Sequence, residues 1–333
     1  MKHLNPGKNP FFLHAEVQHF IAVKDGRDVG RIAAIRNRTH EELHQEPVGF
    51  FGFFESSDDA EVAGALLDAA ADWLRKQGLK TIRGPLSYDT NDVSGMLVGP
   101  FDSPPSVMMA YNREYLPRLT EGAGFLKAKD LLAFVLDSSG LPDRIARLSN
   151  RVKKREGIVL RLFDKKRFLD EVRTIQEIYN QAWEKNWGFV PMNSEEIHYK
   201  ADELKQIVDP EFVYFAEVKG ETVGFGMALP DANQALRGIR SGRLFPTGLF
   251  RIMLAWRKIN AVRVIILGTI PEYRNRGLEV LFYRELFDAA YRRGMSYGEC
   301  SWILEDNEPM IKGMAALGSS EPSKRYRVYD RAL

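Results

Sequence analysis

The chain has 333 residues, about twice the ~150 of a common single domain, and 44% of them are hydrophobic, so two domains with sizeable cores are expected and a disordered chain is excluded. Lys and Arg number 47 against 45 Asp and Glu, which argues against a globally basic nucleic-acid binder. The single cysteine, Cys300, excludes an intrachain disulfide framework and a Cys-rich zinc site.

In chain order, the opening MKHLNPGKNPFFLH lacks the apolar core of a signal peptide. No apolar run reaches the ~18 residues of a membrane span, and a cytoplasmic protein is expected. FIAVKDGRDVGRIAAI (Phe20–Ile35) reads as two strands around a Gly-containing turn, a β-hairpin signal. His40 and His44 follow at the spacing of two ligands on one helix face, but no third ligand lies nearby in sequence and no metal is expected. AEVAGALLDAAADWLRKQG (Ala60–Gly78) has the helical period and closes on basic residues and Gly, the chemistry of a helix C-terminus. The turn before it carries Glu55, Asp58, Asp59 and Glu61, and four carboxylates cannot cradle a phosphate. Asn91 and Asp92 open a Gly/Pro-rich loop that either shapes an acceptor site or packs between domains.

DSSGLPDRIARLSNRVKKREG reads as a turn and a charged linker helix with a solvated basic face. Domains are accordingly expected over 1–140 and 166–333, with the linker helix over 141–165. Trp183 and Trp187 flank a helix end, where core packing is favoured over lining a groove. His198 is placed on a helix, in a structural role. YFAEVKGETVGFGMAL (Tyr214–Leu229) then repeats the first hairpin, with Ala22, Gly26, Val29, Gly30 and Ala34 falling on Ala216, Gly220, Val223, Gly224 and Ala228.

From Ala232 to Pro271 there is no acidic residue, while Arg237, Arg240, Arg243, Arg251, Arg257, Lys258 and Arg263 all occur. A helix drawn from Thr247 puts Leu249, Ile252, Met253 and Trp256 on one face, with Phe250 and Leu254 beside it. Three readings stand: a core-packing helix or flap, an interfacial helix that meets anionic lipid through 244–259, or a dock for an acidic acyl carrier protein. VRVIILGTI (Val262–Ile270) has a buried-strand pattern, and Arg274-Asn275-Arg276-Gly277 sits at the turn into the next helix. Free backbone N–H groups and a close-approaching Gly suit a phosphate there. LEVLFYRELFDAAYRRG (Leu278–Gly294) ends as the first long helix does, and Asn307 stands as far beyond Gly294 as Asn91 beyond Gly78. Hairpin, helix, strand and Asn recurring in one order mark a duplicated α/β unit.

Arg274-Asn275-Arg276-Gly277-Leu278-Glu279 resembles, through its Gly, the pyrophosphate loop Q/R-x-x-G-x-G/A of the GNAT acyl-CoA N-acyltransferases. With the repeat, the whole chain resembles a tandem GNAT protein, as in the Fem-like transferases. LFP-x-G-L, PEYR-x-RG and SWILEDN resemble a bacterial branch to which bacterial ceramide synthases, which acylate the amine of a sphingoid base, are related. The resemblance implies an α/β fold of two tandem GNAT-like units, each a mixed β-sheet flanked by helices. It implies acyl-CoA as co-substrate and no permanently bound cofactor. The strand before the loop, at Leu267, Thr269 and Ile270, would offer a backbone N–H to the acyl carbonyl. Tyr273, Arg274, Asn275, Arg276, Gly277 and Leu278 would hold pyrophosphate, and Asn307 would meet the pantetheine arm.

Two positions depart from the family's pattern. Glu279 replaces Gly or Ala, and Met314 replaces the Tyr that often protonates the leaving thiolate. An attacking amine must lose a proton, and Glu217, Glu305 and Asp92 are the candidate bases. The expected activity is transfer of an acyl group from acyl-CoA, or from an acyl carrier protein, to a lipid-like or sphingoid-base amine. The expected location is the cytoplasm, in peripheral contact with the inner face of the membrane, with no nucleic-acid partner. The alternatives are a Fem-like enzyme using aminoacyl-tRNA and a non-catalytic module of the same fold.

Overall fold

Both halves of the repeat begin as the sequence predicts. The structure, a computed structural model, describes residues 2–137, 140–239, 242–243 and 245–333. Ser138 and Ser139 at the expected junction, and Arg240 and Leu244 of the basic stretch, lie outside the described residues. Strands β1 (Ala15–Lys24) and β2 (Arg27–Asn37) turn at Asp25-Gly26, where φ is 52° and 72°. Two successive positive φ angles make the tight turn whose twist matches antiparallel strands, and Gly adopts one of them without penalty. Next come α1 (Arg38–His44), β3 (Val48–Ser56), α2 (Ala60–Lys76), β4 (Thr81–Gly84), β5 (Met96–Gly99), α3 (Tyr115–Gly122) and β6 (Leu126–Asp137).

The second half opens with α4 (Asp143–Glu156), β7 (Ile158–Leu162), α5 (Phe168–Trp183) and α6 (Ser194–Leu204). Its hairpin, β8 (Val213–Val218) and β9 (Glu221–Pro230), turns at Lys219-Gly220 with φ of 53° and 85°, as the first hairpin does. Then follow α7 (Ala232–Leu236), α8 (Gly248–Trp256), β10 (Ala261–Thr269), α9 (Leu278–Arg292), β11 (Tyr297–Leu304), α10 (Glu308–Leu317) and β12 (Lys324–Ala332).

All these strands join one sheet in the order β1-β2-β3-β4-β12-β6-β11-β10-β9-β8-β7, with β5 against β12. The order shows an exchange at the centre. The last strand of the first half, β6, pairs with β11 of the second, and the last strand of the second, β12, lies between β4 and β6. Neither half completes its own sheet, so the centre of the molecule is common to both.

Period-2 alternation sorts the core into two layers. Tyr214 and Ala216 of β8 pack under α9 with Leu281, Phe282 and Leu286. Val213 and Phe215 point the other way, under α5 and α6 with Val172, Ile175 and Ile197. In the first half, Leu66, Leu67, Ala70 and Leu74 of α2 cover one face of the sheet. α4 is more than a solvated linker. Ile145, Ser149 and Val152 form a buried face, and only the remainder carries the exposed charge.

Candidate active site

The irregular point of the second half lies between β10 and β11. They pair in parallel from Ala261↔Tyr297 to Val264↔Cys300 and then part, although the strands run on to Thr269 and Leu304. At that level β10 bulges against β9 between Val264 and Ile266, and β11 slips against β6 between Cys300 and Ile303. A bulge re-aims side chains and ends pairing. Arg263 grips the strands just below the fork: its guanidinium donates to Ser301 Oγ (2.9 Å), Ser301 O (3.1 Å) and Val107 O (2.9 Å). Burial pulls the pKa of this arginine down to about 10, with Glu299 opposing.

On one side of the fork lies a cavity of about 300 Å³. Ile265 and Ile266 of β10 and Trp302 and Leu304 of β11 form its floor, and α5 and α6 form a wall through residues such as Val172, Ile175, Tyr179, Ile197 and Leu204. The third wall comes from the first half, from Leu86, Thr90–Ser94 and Met108. Trp183 and Trp187 pack against the core, as favoured from the sequence, and both also border this cavity. Their helix end is stitched toward the first-half loop, Thr90 Oγ1 donating to Gly188 O at 2.9 Å. The indole N–H of Trp302 is buried without a hydrogen-bond partner.

The cavity has one polar end. Asp92 Oδ1 lies 2.9 Å from Lys200 Nζ. Asp89 is buried behind it and accepts from the N–H of Asn91 (2.8 Å) and from Asn91 Nδ2 (3.2 Å). The Tyr179 hydroxyl donates to Asn91 Oδ1 at 2.6 Å. Glu196 closes the capping box of α6 and lies 2.7 Å from His14 Nε2. Burial and the nearby Asp92 push the Asp89 carboxyl up to about 6, with Lys200 opposing. Burial disfavours the charge on Lys200, but Asp92 and Asp89 outweigh it and hold the ammonium protonated. Such a cluster of buried acids and a charged amine, one of them titrating near neutrality, is suited to moving protons.

On the other face of the sheet, α4 roofs the space between α9 and α10. Ile145 packs with Tyr283 of α9, Met314 and Leu317 of α10, and Cys300 and Ile303 below. Arg144 donates to Ala316 O at 2.9 Å, and at the far end of α4 Arg155 donates to Arg276 O at 2.7 Å. The hydroxyl of Tyr283 is buried there without a partner, and burial holds its pKa well above the ordinary value.

The Arg/Gly turn forms where the sequence predicts. Asn275 (φ 61°) and Gly277 (φ 86°) swing the backbone into α9, and Gly277 is its N-cap, with no side chain over the first N–H groups. Those groups have no side-chain acceptor and share the positive end of the helix. The two arginines differ. Arg274 is spent on α5, donating to Gln181 O (2.8 Å) and Ala182 O (3.1 Å). Arg276 is half-exposed, lies 3.1 Å from Glu156 Oε2 and stacks over Tyr273 at 4.7 Å. Glu279 stands one turn before Tyr283 on the same helix, in the first turn of α9.

Of the remaining candidates, Leu267 packs toward α9 and Thr269 is buried. Ile270 donates its N–H to Val223 O at 3.0 Å, and Leu278, the first residue of α9, is buried. Asn307 caps α10, accepting from Met310 N–H at 3.3 Å. Of the three candidate bases, Asp92 borders the cavity. Glu217 is ion-paired with Arg161, and Glu305 with Lys127, away from it. Asp89, Lys200 and His14, which sequence reasoning missed, join Asp92 through folding alone. His40 and His44 stack at 4.4 Å, burial drives the His40 pKa down to about 3, and His44 binds Phe189 O at 2.8 Å. His198 lies exposed on α6, and burial pushes the Cys300 thiol up to about 12.

No profile of a known protein family matches this chain. It is 38% identical over 339 residues to the bacterial ceramide synthase of Caulobacter vibrioides, covering 99% of this chain and 87% of that protein. It is 34% identical over 342 residues to Protein YghO of Escherichia coli, covering 100% of this chain and 86% of that protein. Among solved structures it resembles a tandem GNAT protein from the clavulanic acid biosynthesis pathway, with a TM-score of 0.54, 14% identity, and coverage of 96% of this chain and 83% of that one. The fold is therefore a tandem GNAT fold.

Proposed function

The chain belongs to the family of the Caulobacter bacterial ceramide synthase and YghO, and from that premise we propose that it is an N-acyltransferase that moves an acyl group from acyl-CoA to a lipid-like amine of the sphingoid-base type. The observation that carries the reading is the apolar cavity at the β10/β11 fork, walled by both halves and ending on Asp92 and Lys200, with Asp89 buried behind them. Apolar walls with a few converging polar groups are the common form of a small-molecule site. An amine with a long hydrocarbon tail suits it, with the tail along Val172, Ile175 and Leu204 and the amine at the polar end.

The division of labour follows from the chemistry. A protonated amine cannot attack, so its proton passes to Asp92, backed by Asp89. The neutral nitrogen adds to the thioester carbonyl at the fork, where the edge of β10 that no longer pairs with β11 beyond Val264, while its other edge stays on β9, would offer a backbone N–H to the oxyanion. Collapse re-forms the carbonyl and breaks the C–S bond; the thiolate departs with the electron pair, and the second proton of the attacking nitrogen passes to the thiolate through solvent, leaving a neutral amide and a thiol. The donor lies on the Arg/Gly turn, where the open α9 N-terminus, Gly277 and Arg276 can take pyrophosphate if Arg276 exchanges Glu156 for phosphate. Arg274, tied to α5, positions the turn instead.

The testing experiment is thermal stabilisation by CoA, acetyl-CoA and a long-chain acyl-CoA, followed by product analysis with a sphingoid base. A ligand at a hundred times its Kd adds about 2.7 kcal/mol. The long-chain thioester is expected to stabilise most and to yield an amide. Absence of any shift overturns the CoA assignment, and a shift without amide overturns the lipid-amine acceptor.

A further inference from the structure

Outside the site, one surface stands apart. α8 turns Leu249, Phe250, Met253 and Leu254 to solvent at 45%, 65%, 63% and 52% exposure, and Phe245 just before it is 76% exposed. The inward side differs from the sequence drawing: Ile252, Ala255 and Trp256 turn toward the protein. Single exposed apolar residues are ordinary, but a contiguous patch of this kind on one short helix marks a contact surface. Exposed Arg237, Arg251, Arg257 and Lys258 border it, and Ala232–Pro271 holds no carboxylate side chain to oppose them.

The position of the helix matters as much as its composition. Trp256 packs in one cluster with Leu204, Ile207, Val208 and Ile265. Leu204, Val208 and Ile265 are also wall and floor of the apolar cavity. One thin apolar partition therefore separates the exposed patch from the cavity.

We propose that α8 docks the protein on an anionic bilayer surface and that the cavity receives its apolar ligand from that bilayer, past Trp256. The charge pattern selects the occupant: a cationic rim around an apolar centre matches anionic headgroups over acyl chains. A ligand with a long tail passes from lipid to cavity along apolar surface, without the cost of exposing the tail to water. The second half of the proposal rests on the acyl-transfer reading given above, while the docking itself does not.

The test is flotation of the full chain with vesicles of phosphatidylglycerol and phosphatidylcholine, against pure phosphatidylcholine, with no substrate present. Binding is expected on the anionic vesicles and is expected to fall steeply with salt. Arg251→Ala should lower partitioning about fivefold. The double substitution Phe250→Ser with Met253→Ser should lower it at least about tenfold, since it takes two large apolar side chains out of the contact. Both lie on the outward face, so the melting temperature should stay, and the salt dependence of the unaltered chain tests docking without any variant. Wild-type protein that does not float overturns the proposal. So does concentration-dependent dimerisation that buries the patch, or retention of an acidic acyl carrier protein in place of vesicles. With an acyl-CoA donor, the double variant should slow acylation of a vesicle-held long-chain amine and spare a short soluble one; equal slowing overturns delivery from the bilayer. Flotation with no acyl transfer to any amine upholds docking and overturns the enzymatic reading.

Discussion

The two forks of this molecule start from the same short parallel pairing and differ in what fills the opening. In the second half β10 and β11 part after Val264 and Cys300, and a cavity lies at the opening. In the first half β3 and β4 pair from Val48↔Thr81 to Phe50↔Arg83 and then the opening is shut. Leu86 N–H bonds back to Phe51 O at 2.8 Å, and a side chain on Gly52 would come within 2.0 Å of Leu86 O. Tyr88 fills the remainder, stacked on Phe11 at 4.7 Å and beside Phe53 at 5.0 Å. The helix starts diverge too. Gly277 leaves the N–H groups of α9 open, whereas Asp59 accepts from Glu61 N–H (2.9 Å) and Val62 N–H (3.5 Å) at the start of α2. The lesson is that the closed fork was put to use. The segment that seals it, residues 85–95, continues into the wall of the other half's cavity and carries Asp92 there, with Asp89 buried behind it.

This comparison breaks most sharply at Asp92. If the first half supplies the base, Asp92→Asn should lower kcat/KM by about 10²–10⁴, the usual worth of a positioned acid or base. CoA-dependent stabilisation should stay intact. The wild-type rate should rise as pH climbs through about 6, where Asp89 loses its proton. Stability should run the other way. The folded Asp89 holds its proton to about 6, above its ordinary 3.8, so its contribution is full below the lower value and is lost as pH rises through the higher. Asp89→Asn should remove that part of the pH dependence in a melting series. A smaller effect is expected at the seal. Gly52→Ala should cost about 1–3 kcal/mol, the usual range for overpacking, because its methyl meets backbone rather than a side chain that can move.

Much of this was legible in the residues. The hairpins, the long helices and the Arg/Gly turn follow from period, glycine placement and capping chemistry, and each is local. Of the carboxylates in the turn before α2, Asp59 is the one that caps the helix. The exchange of β6 and β12 was not legible, because apolar alternation in a strand tells which face is buried and not which neighbour it pairs with. The same limit hid the acidic cluster. Asp89 and Lys200 are distant in sequence, and only the docking of α6 against the first-half loop brings them together. α4 was half legible: the helix and its exposed Arg/Lys face follow the sequence, while the same Arg/Lys content masks three buried positions at helical spacing, Ile145, Ser149 and Val152.

The smallest expected effects divide the two helix starts most cleanly. Arg276→Ala removes the exposed guanidinium of the α9 turn. It should weaken CoA binding about tenfold or somewhat more, since a hydrogen bond to a charged group is worth about 1.5–3 kcal/mol. Its cost in stability should be slight, because its ion pair with Glu156 leaves the Arg276 side chain 46% exposed. Asp59→Ala should do the reverse. It deletes the cap of α2 and the pairing with Lys24, so about 1 kcal/mol of stability is expected to go, with CoA binding unmoved. Titration calorimetry with CoA and a melting curve for each variant give four readings. If Asp59→Ala gains a second CoA site, the first half kept a latent one and only its cap had closed it. If Arg276→Ala binds CoA as the wild type does, the open start of α9 is not where the donor's phosphates rest, and the contrast between the two halves must be drawn at the forks alone.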